Sequence, residues 1–229
     1  MPQKIAKTHK LQKFHVSLKD ELKKHDFRVT IFGSARIKAN EKVYKQVVDL
    51  AKKIGEQGFD VVTGGGPGLM EAATIGHNLG DPEGKSETIG LTIELPWESE
   101  DNGQLEIKKH FEHFSGRLDH FMALSSAIVV TPGGIGTCLE LFCTWQLVQV
   151  KHICPIPIIL IGSMWKKLID WTKKYPLKEG LISPQDFSSI YVVKNNKEAM
   201  KIIMKTYHVF LKEGKNYCLN VDKYQLDQD

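Results

Sequence analysis

Short apolar runs alternate with amphipathic stretches along most of this chain. Arg28–Phe32, Phe59–Thr63, Thr88–Leu95, Ala127–Thr131, Ile156–Ile161 and Ile190–Val193 are rich in Val, Ile, Thr and Phe and bounded by polar residues, glycine or proline, the mark of buried strands. Between them, Asn40–Gln57, a segment ending near Leu79, Phe114–Leu124, a segment reaching about Val150, Met164–Tyr175 and Lys197–Lys212 space their apolar residues as helices do. Gly58 stands where the first of these must stop, as a helix-ending glycine. A polar amphipathic helix is expected within Lys4–Lys24. Strand followed by helix, repeated, predicts a mostly parallel sheet with right-handed crossovers and helices on both faces, a three-layer α/β/α domain. The expected organisation is a helical extension over residues 1–26, the domain over 27–215 and a polar tail over 216–229.

Two glycine-rich stretches interrupt this pattern at equivalent places. Gly64-Gly65-Gly66-Pro67-Gly68-Leu69-Met70-Glu71 and Pro132-Gly133-Gly134-Ile135-Gly136-Thr137-Cys138-Leu139-Glu140 each follow a strand and open a helix. Glycines there let successive backbone N–H groups face one point, and the helix adds its positive end, so each stretch is an anion cradle. In a parallel sheet both belong at the carboxyl edge, where ligands bind. Two cradles in one chain point to a phosphorylated ligand. Neither matches the dinucleotide fingerprint or ends in the Gly-Lys-Ser/Thr of a P-loop, which counts against a nicotinamide dehydrogenase or an ATPase.

Composition narrows the picture little further. At 229 residues and 41% hydrophobic content the chain can bury one full core. No apolar run approaches the length of a membrane span, and no signal-peptide centre is visible, so a cytoplasmic protein with no membrane partner is expected. Net charge is +4, with lysines scattered among acids and no basic stripe interleaved with aromatics; nucleic acid is not an expected partner. Cys138, Cys143, Cys154 and Cys218 lack metal-ligand spacing and read as buried thiols of a reducing compartment. His110, His113 and His120 lack companion ligands at a zinc spacing and read as solvated side chains.

The wording of the two loops, with Arg117 upstream of the second, resembles the signatures of the Lonely guy (LOG) family of Rossmann-like proteins, many of which carry the older label "lysine decarboxylase". The resemblance covers roughly Arg28–Lys212. It implies a Rossmann-like fold, a homodimer with its sites near the subunit boundary, and hydrolysis of the N-glycosidic bond of nucleoside 5′-monophosphates, purine, pyrimidine or cytokinin ribotide, with no metal or organic cofactor. By resemblance Gly133, Gly134, Gly136 and Thr137 hold the 5′-phosphate, Arg117 is the active-site arginine and Glu140 the catalytic glutamate. Gly33, Ser34, Gly64, Gly65, Gly66, Gly68 and Met70 complete the nucleotide cleft, and Glu94 touches ribose or base. Plant cytokinin enzymes of the family carry Lys after the arginine; here Leu118 follows Arg117, which weakens a cytokinin assignment.

The chemistry stands without the family. Cleaving a ribosyl C–N bond builds positive charge on the sugar, and a carboxylate beside C1′ opposes that charge or orients the attacking water. Arg117 adds a permanently charged partner for phosphate or a ribose hydroxyl. A competing reading makes Thr137-Cys138-Leu139-Glu140 a capping box, with the glutamate serving only its own helix. Two further alternatives are a catalytically silent nucleotide carrier on the same scaffold and a pyridoxal-phosphate decarboxylase, which needs a Schiff-base lysine that neither glycine loop supplies. Trp145, Gln146 and Gln149 fit a pocket wall, a subunit contact or core packing equally.

Overall fold

The structure is a computed structural model and describes residues 20, 23–93, 104–214 and 217. Most of the helix expected within Lys4–Lys24, most of the acidic loop after β3, Glu94 and the tail beyond Tyr217 lie outside the described residues. Seven parallel strands form one sheet: β1 (Arg28–Phe32), β2 (Asp60–Thr63), β3 (Thr88–Ile93), β4 (Ile107–Phe111), β5 (Ala127–Val130), β6 (Ile158–Ile161) and β7 (Ile190–Val193). Their order is β4-β3-β2-β1-β5-β6-β7. The helices are α1 (Lys42–Gly55), α2 (Leu69–Gly80), α3 (Phe114–Leu124), α4 (Ile135–Gln149), α5 (Ser163–Thr172) and α6 (Asn196–Glu213). This is the Rossmann-like α/β architecture.

Side-chain alternation along the strands divides the core in two. Val29 and Ile31 of β1, Ala127 and Val129 of β5, and Ile159 and Ile161 of β6 pack toward α1, α2 and α6. Phe32, Ile128, Val130, Ile158 and Leu160, their neighbours in register, pack toward α3, α4 and α5. A strand buried on both faces needs apolar residues at odd and even positions alike, which is why these segments are continuous apolar runs.

Strand β4 is absent from the sequence reading. Its Ile-Lys-Lys-His-Phe buries Ile107 and Phe111 at the ends and leaves Lys108 and His110 exposed, so an edge strand with one lining face replaces the apolar run that marks the others. Helix α5 stops at Thr172, and Lys173–Leu177, containing Pro176, continues as a wider turn; a proline ring cannot follow the regular helix, so the expected helix to Tyr175 is shortened.

The crossovers explain where the site must lie. From β1 the chain steps outward through β2, β3 and β4, then returns across the sheet by α3 to β5 on the other side of β1. The reversal opens a crevice at the carboxyl ends of β1 and β5.

Candidate active site

Three neighbouring strands end in the segments singled out by sequence. Gly33 and Ser34 follow β1, Gly64–Gly68 follow β2, and Pro132–Gly134 follow β5. Ser34 joins them: its N–H donates to the Pro132 carbonyl at 3.1 Å, and its own carbonyl accepts from the Leu69 N–H at 2.9 Å. The turn after the central strand thereby fixes both glycine loops to each other. Gly68 shows why glycine is required here, with φ +68° and a position where a Cβ would lie 2.5 Å from the Ser34 carbonyl oxygen.

The second loop presents its backbone to solvent. Nothing of the protein lies within 4 Å of where a Cβ would stand on Gly134 or Gly136, whereas one on Gly133 would run into the Thr137 side chain. Helix α4 takes Gly134 as its N-cap, so Gly136 and the buried Thr137 sit in its first turn, where unpaired N–H groups point outward. That geometry excludes the capping box. Thr137 is the third residue of the helix rather than its cap, and Glu140, a turn further on, is too far along to serve the helix start.

Glu140 faces Arg117 instead. The Arg117 Nη1 to Glu140 Oε1 distance is 3.6 Å, and the two side chains are only 11% and 12% exposed. Arg117 reaches this place because α3 crosses under the sheet on its way from β4 to β5. Its Nε donates to the Leu91 carbonyl of β3 at 2.7 Å and its Nη2 to the Gly64 carbonyl at 3.4 Å. The Phe121 ring lies 5.2 Å beneath the guanidinium carbon. A Cβ on Gly64 would collide with Nη2 and come within 2.7 Å of Met70 Sδ, so the first loop makes room for the arginine and for Met70. Burial outweighs the lowering pull of the Arg117 charge and leaves the Glu140 carboxyl raised to about 7. A carboxyl poised there exchanges protons at neutral pH.

The remaining sequence-predicted positions divide cleanly. Gly65 holds φ +72° beside Thr92, and Gly66 lies between it and the turn to α2. Trp145 is core: 7% exposed, it donates Nε1 to the Asp186 carbonyl at 2.7 Å and meets Phe187 edge-on, while Gln149 binds the Asp186 carboxylate at 2.9 Å. His120 is buried rather than solvated, with Nδ1 2.7 Å from the Gly116 carbonyl; His110 is exposed and lies 3.3 Å from Thr92 Oγ1. Among the described residues no three His, Cys, Asp or Glu side chains converge on a metal position. Burial pushes the Cys138 thiol up, against the activation a helix start can give. Cys138 and Cys143 are free and half-buried, but Cys154 is disulfide-bonded, which corrects the reading of it as a thiol; spacing along the chain does not reveal pairing in space. None of the described helices is long and apolar enough to cross a membrane.

A parallel α/β sheet with two glycine loops at its switch point and a nearly buried arginine–glutamate pair beside them defines a Rossmann-like α/β protein. A model of the family described as "Possible lysine decarboxylase" matches residues 61–203, and the chain belongs to that family, the LOG family whose motifs its loops resemble. The Escherichia coli (strain K12) pyrimidine/purine nucleotide 5′-monophosphate nucleosidase is 31% identical over 143 residues, which cover 58% of this chain and 30% of that protein. The chain thus spans less than a third of that relative's length. An Oryza sativa subsp. japonica protein named "Probable cytokinin riboside 5′-monophosphate phosphoribohydrolase LOGL3" is 25% identical over 202 residues, covering 83% of this chain and 91% of that one. Among solved structures, the molybdenum cofactor carrier protein of Chlamydomonas reinhardtii superposes with a TM-score of 0.57 at 21% identity, covering 80% of this chain and 99% of that one, a likeness of fold.

Proposed function

We propose that this chain hydrolyses the N-glycosidic bond of nucleoside 5′-monophosphates, releasing free base and ribose 5-phosphate, and that it works as a homodimer. The observation that carries the reading is the buried Glu140 carboxylate, held beside Arg117 on the helix whose glycine start is the anion cradle. A pure carrier has no use for a carboxylate at that point. The names of the two relatives support the same chemistry.

In this reading the N–H groups around Gly133, Gly134, Gly136 and Thr137 hold the 5′-phosphate, with Gly33, Ser34, Gly64, Gly65, Gly66, Gly68 and Met70 bordering ribose and base. Phosphate binding remote from C1′ fixes the sugar against Glu140. As the C1′–N bond lengthens, its electron pair leaves with the base and positive charge grows on the sugar, which ionised Glu140 opposes while orienting a water. The water supplies the hydroxyl that ends on C1′ and the proton that ends on the base. Glu94 is assigned to ribose or base by motif alone and lies outside the described residues.

Incubation with a panel of nucleoside 5′-monophosphates, nucleosides and cytokinin ribotides, followed by chromatography for free base and ribose 5-phosphate, tests the proposal. Cleavage confined to monophosphates is expected. Tight binding of nucleotide with no cleavage of any member would put a carrier in its place.

A further inference from the structure

Arg117 turns its guanidinium inward. An arginine that grips phosphate offers one planar edge, two parallel N–H groups, to two oxygens of the ligand. Here the Nε–Nη2 edge is aimed at two backbone carbonyls, Leu91 of β3 at 2.7 Å and Gly64, just after the neighbouring β2, at 3.4 Å. The remaining terminal nitrogen, Nη1, faces Glu140. From below, the buried Phe121 ring supports the cation, and Phe121 is in turn braced edge-on by Phe32 at 5.0 Å. Gly64 lacks the Cβ that would displace Nη2. Each of these features fixes the arginine toward the carboxylate, and none aims it at the open face of the second glycine loop.

We propose that Arg117 is a positioning residue for Glu140, fixing the orientation and charge of that carboxylate, and that the phosphate is carried by the backbone of the second loop rather than by this arginine. The inference rests on Glu140 being the working group of the proposed function, and it replaces the role as phosphate partner that the residue type alone implies. Among the described residues, Arg117 from α3 is the charged group within ion-pair distance of Glu140; Asp119, on the same helix, acts on Cys143. Removing the cation therefore leaves burial unopposed at the carboxyl.

The test uses a readout independent of turnover. Carbon-13 NMR of glutamate-labelled protein, with the Glu140 signal assigned through Glu140→Gln, follows the carboxyl titration in the parent chain, Arg117→Met and Arg117→Lys. The midpoint is expected to rise by about one pH unit or more in Arg117→Met and to return part of the way in Arg117→Lys, the direction that loss and partial return of a nearby cation dictate. Ribose 5-phosphate is then titrated calorimetrically into the same proteins. Its dissociation constant is expected to change by less than about threefold, a small fraction of what losing a charge-assisted bond to phosphate costs. In turnover, kcat falls while KM stays near the parent value. An unmoved midpoint, or a loss of ribose 5-phosphate affinity of about tenfold or more in Arg117→Met, overturns the inference. Should the parent chain cleave no nucleotide, the proposed function fails, while the titration and the calorimetry still decide the role of Arg117.

Discussion

Arg117 and Glu140 come from different helices, α3 and α4, and meet with Nη1 3.6 Å from Oε1 in a site where both side chains are nearly buried. Breaking a buried pair by removing one partner is costly, yet glutamine keeps the size and an accepting oxygen of glutamate. Glu140→Gln is therefore expected to fold, to bind nucleoside monophosphate and to lose about 10²–10⁴-fold in kcat, the range typical of acid–base or electrostatic groups. Calorimetric binding and a base-release assay on the same preparation check both halves.

The pH profile follows from the same carboxyl. Its pKa is raised to about 7, so the ionised form that the proposed mechanism requires is populated above that value and lost below it. The expected profile of kcat/KM rises with pH through about 7 and levels off at higher pH, losing about tenfold per unit on the acid side. A profile flat from mildly acidic to mildly alkaline pH would remove Glu140 from the rate-limiting chemistry.

The proposed phosphate-binding role of the second glycine loop is separable from stability at a single glycine. Gly136 lies in the first turn of α4, and a Cβ there meets nothing of the protein. Gly136→Ala is expected to stabilise the fold by roughly 0.4–1 kcal/mol through the unfolded chain. The added methyl stands where the ligand approaches, and nucleotide affinity is expected to fall by about tenfold, about 1.4 kcal/mol. Thermal unfolding and calorimetry should move in opposite senses; unchanged affinity would place the phosphate elsewhere.

Preference for a phosphorylated substrate is expected on the same grounds. Losing the phosphate forfeits several charge-assisted hydrogen bonds, each worth about 1.5–3 kcal/mol. Equal kcat/KM for adenosine and its 5′-monophosphate would contradict it.

Assembly is predicted on the outer face of α4. Ile135 is 86% exposed and Leu139, Phe142 and Val150 are also exposed, an apolar row at helical spacing that a second copy would cover. Trp145 is buried and Val148 half-buried against the core, so neither belongs to this row. Phe142→Glu is expected to convert a dimer to monomer in light scattering at micromolar concentration, while a parent chain that scatters as a monomer contradicts the dimer.

Much of this was legible in the sequence, for reasons that differ by element. Strands buried on both faces, such as Ile158–Ile161, announce themselves as apolar runs, and the glycine loops follow from what backbone N–H groups need at a helix start. The edge strand Ile107–Phe111 escaped because only its two ends are buried. Glu140 was ambiguous because a capping box and a site carboxylate share one spacing, and the helix start at Gly134 removes the capping box. The contacts of Arg117 with Leu91 and Gly64 arise from a crossover that brings together residues far apart in sequence, and no local pattern encodes them.

The most direct measurement of the central claim is the stoichiometry of products from a single nucleoside 5′-monophosphate incubated with the parent chain and with Glu140→Gln. The parent is expected to release free base and ribose 5-phosphate in equal amounts, and the variant to bind the same nucleotide and release neither. Nucleotide recovered intact from the parent, or equal release by the folded variant, would contradict the account.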